Sequence, residues 1–130
     1  GAPLVEDYKA VVNKVSAVPD IDVKDGNVVF YQQGETTTAT INIRGDSSTT
    51  LNSIMDTNQM ITVTIVLFSS GTGYYPSITV DGSTPTYLRW LNDGEPSQAA
   101  DTLDIEVYSV TVFKTGNDNW IVIANRSIFK

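Results

Sequence analysis

Clusters of turn-forming residues recur along this chain and limit what it can fold into. From residue 27 onward, Gly, Asn, Asp and Ser gather at six places, separated by short segments in which apolar and polar residues alternate. These residues tolerate positive φ or cap turns, and alternation with a period of two is typical of β-strands. We therefore predict seven strands, over residues 27–32, 37–44, 61–69, 77–80, 86–91, 103–114 and 119–129.

The strand pattern predicts an all-β fold. Alternation is clearest over residues 61–67, where isoleucine, valine and leucine share one face while Thr62 and Thr64 occupy the other. We expect an antiparallel β-sandwich, jelly-roll-like or immunoglobulin-like in its connections. No repeat of 20 to 50 residues is visible, which disfavours a solenoid or a propeller. Residues 51–60 interrupt the pattern and predict a single helical turn.

Residues 1–26 are predicted to form an N-terminal appendage or stem, and residues 27–130 the β-sandwich domain. Over residues 4–18, apolar side chains recur at spacings of three and four, as on one face of a short amphipathic helix. The alternative is an extended stem, because β-branched valines lower helix propensity. Pro19 and Asp20 then end the pattern.

Composition excludes several classes of function. The chain has no cysteine and no histidine, which rules out disulfides, thiolate nucleophiles, Cys/His zinc sites and imidazole-based catalytic triads. Its formal net charge of −7 argues against nucleic acid as a partner. The longest apolar run, residues 61–68, is too short for membrane insertion. At 41% hydrophobic and 18% charged residues, the chain is expected to be globular.

Acidic residues suggest a metal site and a catalytic carboxylate pair, and we expect neither to be functional. Asp20, Asp22 and Asp25 precede Gly26 as in part of a calcium loop, but Lys24 stands where an oxygen ligand belongs. We interpret this segment as a solvated acidic turn and predict no metal or other cofactor.

Pairs of neighbouring carboxylates would suit a hydrolase. Asp104 and Glu106 alternate on a predicted strand and could form a catalytic pair, as Asp93 and Glu95 could in a loop. Alternate carboxylates usually face solvent, with Leu103, Ile105 and Val107 on the opposite face. We therefore predict no catalytic residues and keep a hydrolase as a third hypothesis.

Two tripeptides have the form of recognition motifs. Arg44-Gly45-Asp46 matches the sequence that integrin-type receptors bind, and Asn125-Arg126-Ser127 matches a glycosylation sequon. A turn at the end of a strand accounts for the first, and the second lies within the last predicted strand. We interpret both as structural.

Aromatic residues form the better candidate for a ligand site. Tyr74 and Tyr75 follow a Ser/Gly/Thr loop, where rings could stack on the C–H faces of sugars. We predict these two tyrosines as glycan-binding residues. Trp90 and Trp120 are expected to lie in the core of the sandwich.

Some strands are apolar on both faces, which favours an oligomer. Val66 and Phe68 fall on the second face of their strand, and Tyr108, Val110 and Val112 lie opposite the apolar positions that precede them. A subunit interface would cover such a surface. The alternative is coverage by the chain's own loops.

Several motifs follow one another in a particular order over residues 51–129. They are residues 61–67, Tyr74-Tyr75-Pro76, Asp81-Gly82, Trp90 before Gly94 and Pro96, Asp104, Tyr108, Lys114-Thr115-Gly116 and Trp120. In this order and spacing the chain resembles a domain of virion structural and tail-fibre proteins of tailed bacteriophages, especially marine ones.

That resemblance implies a homotrimeric, β-rich module located in the virion. It would act in a fibre or as a decoration, without catalysis, in contact with other virion proteins and with host-surface glycans. The alternative function is a monomeric carbohydrate-binding module that uses Tyr74 and Tyr75.

Overall fold

Nine β-strands build two sheets in the computed structural model, which describes residues 5–130. The strands are β1 (Lys9–Val11), β2 (Asp20–Asp22), β3 (Val28–Glu35), β4 (Thr40–Arg44), β5 (Met60–Ser69), β6 (Ser77–Val80), β7 (Tyr87–Trp90), β8 (Ile105–Gly116) and β9 (Asn119–Phe129). The seven strands β3 to β9 lie where the sequence predicted them. The predicted helical turn is α1 (Leu51–Ile54), capped by Thr50, whose Oγ1 accepts a hydrogen bond from the Ser53 N–H.

The chain passes back and forth between the two sheets. From β1 to β6, consecutive strands alternate between a six-stranded sheet, in the order β1-β3-β5-β8-β9-β7, and a three-stranded sheet, in the order β2-β4-β6. Each of these strands therefore runs parallel to the preceding strand of its own sheet. Within residues 5–130, five of the seven strand pairings are parallel as a result.

The all-β class is confirmed, but the predicted antiparallel pairing does not describe most of these sheets. Antiparallel ladders join β5 to β8 and β8 to β9, and the other pairings in the described chain are parallel. Alternation of side chains identifies a strand without indicating which strand pairs with it, because both kinds of ladder share the period of two. A jelly roll is built from antiparallel strands, so that level of the prediction is not confirmed.

Of the two conformations left open for residues 4–18, a helix or an extended stem, residues 9–11 adopt the extended one as β1. β1 pairs in parallel with β3, and β2 pairs in parallel with β4. Val15 and Ile21 are fully buried, so residues within the predicted appendage contribute to the core. The helix prediction over residues 4–18 is wrong because pairing with β3 satisfies the backbone of a valine-rich segment that has low helix propensity. Leu4 lies outside the described residues.

A single apolar core lies between the inner faces of the two sheets. Its larger members include Tyr31, Ile41, Ile65, Tyr108 and Trp120. Among residues 5–130 no helix has the length and apolar character needed to cross a bilayer.

Candidate functional site

The structure separates the two tyrosines that were predicted to bind a glycan. Tyr75 is 0% exposed, and its ring packs edge-on against that of Tyr108 with centroids 5.3 Å apart. Burial raises the pKa of the Tyr75 hydroxyl far above its usual value. Tyr74 is half-buried. Because the Tyr75 ring is enclosed in the core, the two rings cannot form one binding surface.

The two tryptophans also differ in their surroundings. Trp120 lies in the core, as predicted. Trp90 packs partly against the core, with its ring centroid 6.3 Å from that of Tyr108, on the face of β7 opposite to that of Arg89.

At the start of β8, the face that is buried is the opposite of the one predicted. Glu106 is completely buried and faces the core with Tyr108, whereas Leu103, expected on the inner face, is 74% exposed. Glu106 Oε1 accepts hydrogen bonds from Arg126 Nη1 at 3.2 Å and from the Tyr108 hydroxyl at 3.3 Å. Burial raises the pKa of Glu106 above its ordinary value, although Arg126 opposes that shift.

Asp104 does not share a cation with Glu106. It lies just before β8 and pairs with Lys130, with Oδ2 and Nζ 3.2 Å apart. Each carboxylate of the predicted hydrolase pair is therefore balanced by a different cation, one inside the protein and one at the surface.

The acidic turn is held by cations of the chain itself. Arg44 contacts Asp20 at 3.2 Å and Asp22 at 2.7 Å, and Lys9 contacts Asp25 at 3.3 Å. Over residues 5–130, no three acidic side chains are grouped so that they could hold a metal ion. Both charged residues of the Arg44-Gly45-Asp46 tripeptide are therefore paired within the chain. Arg44 contacts the two aspartates just named, and Asp46 contacts Lys24 at 3.2 Å.

Glu35, at the end of β3, is a buried carboxylate that was not among the sites predicted from the sequence. Its Oε2 accepts from the Ser16 N–H at 2.7 Å, and its Oε1 accepts from the N–H groups of Thr36 at 3.0 Å and Thr37 at 3.2 Å. Burial opposes ionisation, but these hydrogen bonds outweigh it and hold the pKa below its ordinary value. A Cβ on Gly73 would lie 2.6 Å from Glu35 Cγ, so the close packing needs glycine there.

Local sequence offered no signal for Glu35. It falls in a segment of turn-forming residues, where a glutamate is normally solvated, and its partner Ser16 is nineteen residues away. The burial arises because residues 14–18 and the loop before β6 both close over the end of β3.

The outer face of the six-stranded sheet is nearly free of charge. In β3, β5, β7, β8 and β9, the side chains that alternate with the buried positions include one charged group, Arg89. At one end of this face lie six apolar residues on adjacent strands, which we call the apolar patch. They are Phe30, Val66, Phe68, Ile105, Val107 and Phe129.

Beside the apolar patch the same face becomes polar. Thr64 pairs with Ser109 and Thr62 with Thr111 across β5 and β8, and the hydroxyls of Thr62 and Thr111 lie 3.0 Å apart. Asn125 continues this polar band onto β9 as the partner of Ser109. The face thus carries two chemically distinct surfaces, neither of which depends on Tyr74 or Tyr75.

Known proteins offer no guide to the role of these surfaces. Comparison with protein-family models, with curated proteins and with solved structures finds no match.

Proposed function

We propose that this chain is a non-enzymatic structural module that works as an assembly of identical copies, a homotrimer in a phage fibre or decoration, as the sequence resemblance implies. The apolar patch on an uncharged sheet face is the observation that carries this proposal. Such a surface suits a protein whose task is to pack against others.

The patch is continuous across four strands. Phe30 is the partner of Val66, which in turn is the partner of Val107, and Phe68 is the partner of Ile105 in the next row. The rings of Phe30 and Phe68 lie 5.7 Å apart. Contiguous apolar surface of this kind on a soluble protein is typical of an interaction site.

Charge favours a second copy of this chain as the partner. With a net charge of −7, two copies repel each other over most of their surface. The strand side chains of the outer face include no carboxylate, so copies that meet there bring fewer acidic groups together than copies that meet elsewhere. The inference of a covered second face, drawn from Val66 and Phe68 in the sequence, concerns this same surface.

Light scattering after size exclusion tests the assembly. We expect a species near three times 14.1 kDa for the natural sequence, and a monomer for the double variant Phe68→Thr, Phe129→Thr. A matched control is Met60→Thr, Ile121→Thr, which alters the same two strands at the opposite end of the face and is expected to leave the trimer intact. A natural chain that stays monomeric at every concentration contradicts the proposal.

The location in a virion has its own test. Antibodies raised against this chain are expected to label purified phage particles at a fibre or on the capsid surface. Particles that contain no such chain would remove the virion part of the proposal while leaving self-assembly to be judged by mass.

The competing function is a monomeric carbohydrate-binding module. Burial of Tyr75 removes one of the two rings on which that hypothesis depended and leaves Tyr74. A monomer whose glycan binding is abolished by Tyr74→Ala would favour this function over the structural one.

A further inference from the structure

A groove of about 400 Å³ lies on the outer face of the six-stranded sheet, where β7 runs beside β9. Its volume is within the range of small-ligand sites, roughly 300–1,000 Å³. Its walls include Arg89, Ser109, Thr111, Ile123 and Asn125. We propose that this groove binds a sugar that carries a carboxylate, with Arg89 holding the carboxylate and the neighbouring side chains holding the ring.

Arg89 is the group that selects for negative charge. In the part of the chain that the structure describes, no carboxylate lies within ion-pairing distance of its guanidinium. Among residues 5–130, its one hydrogen bond runs from Nη1 to the carbonyl oxygen of Leu88, at 3.2 Å. A guanidinium has five N–H donors in a planar fork, so a carboxylate can be bound through two parallel hydrogen bonds.

Two contacts within the chain restrict this exposed guanidinium. The Arg89 Cζ atom lies 4.9 Å from the centroid of the Tyr87 ring, in a cation–π contact. That contact and the bond to Leu88 hold the head group beside the groove. Such contacts reduce the side-chain entropy that is lost when a ligand binds.

Two polar side chains are suited to the hydroxyl groups of a sugar. Ser109 and Asn125 are cross-strand partners in the middle of the groove wall. Within residues 5–130, neither the Ser109 hydroxyl nor the Asn125 side-chain amide takes part in a protein hydrogen bond, unlike Thr111 beside them. Both groups can donate and accept, as recognition of hydroxyls requires.

Apolar walls complete the site. Leu91 and Ile123 line the groove around the polar centre. Apolar side chains of this kind pack against the C–H face of a pyranose, while a simple carboxylate such as acetate gains little from them. The combination of one cation, free hydrogen-bonding groups and apolar walls favours an acidic sugar over a neutral sugar or a small anion.

This inference goes beyond assembly and does not depend on it. The groove shares no residue with the apolar patch, so binding and trimer formation can be lost separately.

Titration with glucuronate, followed by NMR spectra of the backbone amides and the Arg89 side chain, tests the proposal. Glucose is the matched ligand, since it differs by bearing a hydroxymethyl group in place of the carboxylate, and acetate supplies the carboxylate without the ring. We expect glucuronate to shift signals of the groove residues saturably, with affinity at least about tenfold higher than that of glucose or acetate.

Variants assign the binding to the arginine. Arg89→Gln is expected to weaken glucuronate binding at least about tenfold, and Lys14→Gln, which removes the same charge elsewhere, to leave it unchanged. Equal binding of glucose and glucuronate, undiminished binding by Arg89→Gln, or no saturable shift would each overturn the proposal. Acetate binding as tightly as glucuronate would overturn its sugar part. The Phe68→Thr, Phe129→Thr variant should still bind, so failure of assembly and failure of the groove are distinguishable.

Discussion

Glu106 and Arg126 form an ion pair inside the protein, with Oε1 and Nη1 3.2 Å apart on the neighbouring strands β8 and β9. Glu106 is fully buried, and the side chain of Arg126 is 15% exposed. Arg126 Nη1 also donates to the carbonyl oxygen of Gln98 at 2.7 Å, which ties the loop before β8 to the sheet. The second carboxylate oxygen of Glu106 is buried without a hydrogen-bond partner among the described residues.

The buried pair makes stability depend on pH in an unusual direction. Burial raises the pKa of Glu106 above its ordinary 4.5, so the folded state retains this proton to higher pH than the unfolded state does. The contribution of Glu106 to the free energy of unfolding is therefore full below about 4.5 and falls as pH rises through the raised pKa.

The variant Glu106→Gln removes this titration. As pH rises above about 4.5 through the raised pKa of Glu106, only the natural protein loses this contribution, so the free energy of unfolding of the variant is expected to rise relative to that of the natural protein. Urea unfolding at several pH values measures the difference. Glu95→Gln, in an exposed loop, is the control and should follow the natural pH profile. A constant difference for Glu106→Gln would contradict the raised pKa.

Glu35 is expected to behave in the opposite way. Its hydrogen bonds hold the pKa below the ordinary 4.5, so its contribution is full above about 4.5 and is lost as pH falls through the lowered value. Replacing it by glutamine should cost about 1–3 kcal/mol near neutral pH, since the N–H groups of Ser16 and Thr37 lose a charged acceptor. Chemical unfolding near neutral pH and in acid measures this. A cost that does not shrink in acid would disprove it.

The ring of Tyr75, and not its hydroxyl, is expected to contribute to the free energy of unfolding. The Tyr75 hydroxyl is buried and has no hydrogen-bond partner in the described chain, so Tyr75→Phe should leave the free energy of unfolding within about 1 kcal/mol or raise it. Tyr75→Ala should cost about 3–5 kcal/mol, because it opens a cavity beside Tyr108. Thermal and urea unfolding compare the two. A mild effect of the alanine variant would show that Tyr75 is not part of the core.

Leu103 adopts a left-handed backbone conformation, with φ of 68°, while its side chain is exposed. That conformation costs a residue with a Cβ about 1–2 kcal/mol relative to glycine. We expect Leu103→Gly to raise the free energy of unfolding by about 1 kcal/mol, as urea unfolding would measure. Leu91→Gly is the control, an exposed leucine that does not have positive φ, and it should be neutral or destabilising. Destabilisation by Leu103→Gly would refute the expectation.

The candidate surfaces show how far the sequence could lead. The alternation of side chains along their strand is enough to place Val66 and Phe68 on a second apolar face, and both lie in the apolar patch. No local pattern identifies Arg89 as part of a binding groove, because a lone arginine on a strand is usually solvated. Its environment arises from β7 pairing with β9, more than thirty residues later, which brings Ser109 and Asn125 beside it.

The sequence by itself determined where the strands β3 to β9 and the turn α1 lie, because turn chemistry and alternation are local properties. Tertiary structure decided which strands pair, in which direction, and which face of β8 is buried. On β8, Ile105 and Val107 alternate with Tyr108 and Val110, so both faces are apolar and periodicity cannot choose between them. Pairing with β5 and β9 fixes which face of β8 is buried. The register places Tyr108 opposite Ile65 and Arg126, and it places Glu106 in the core.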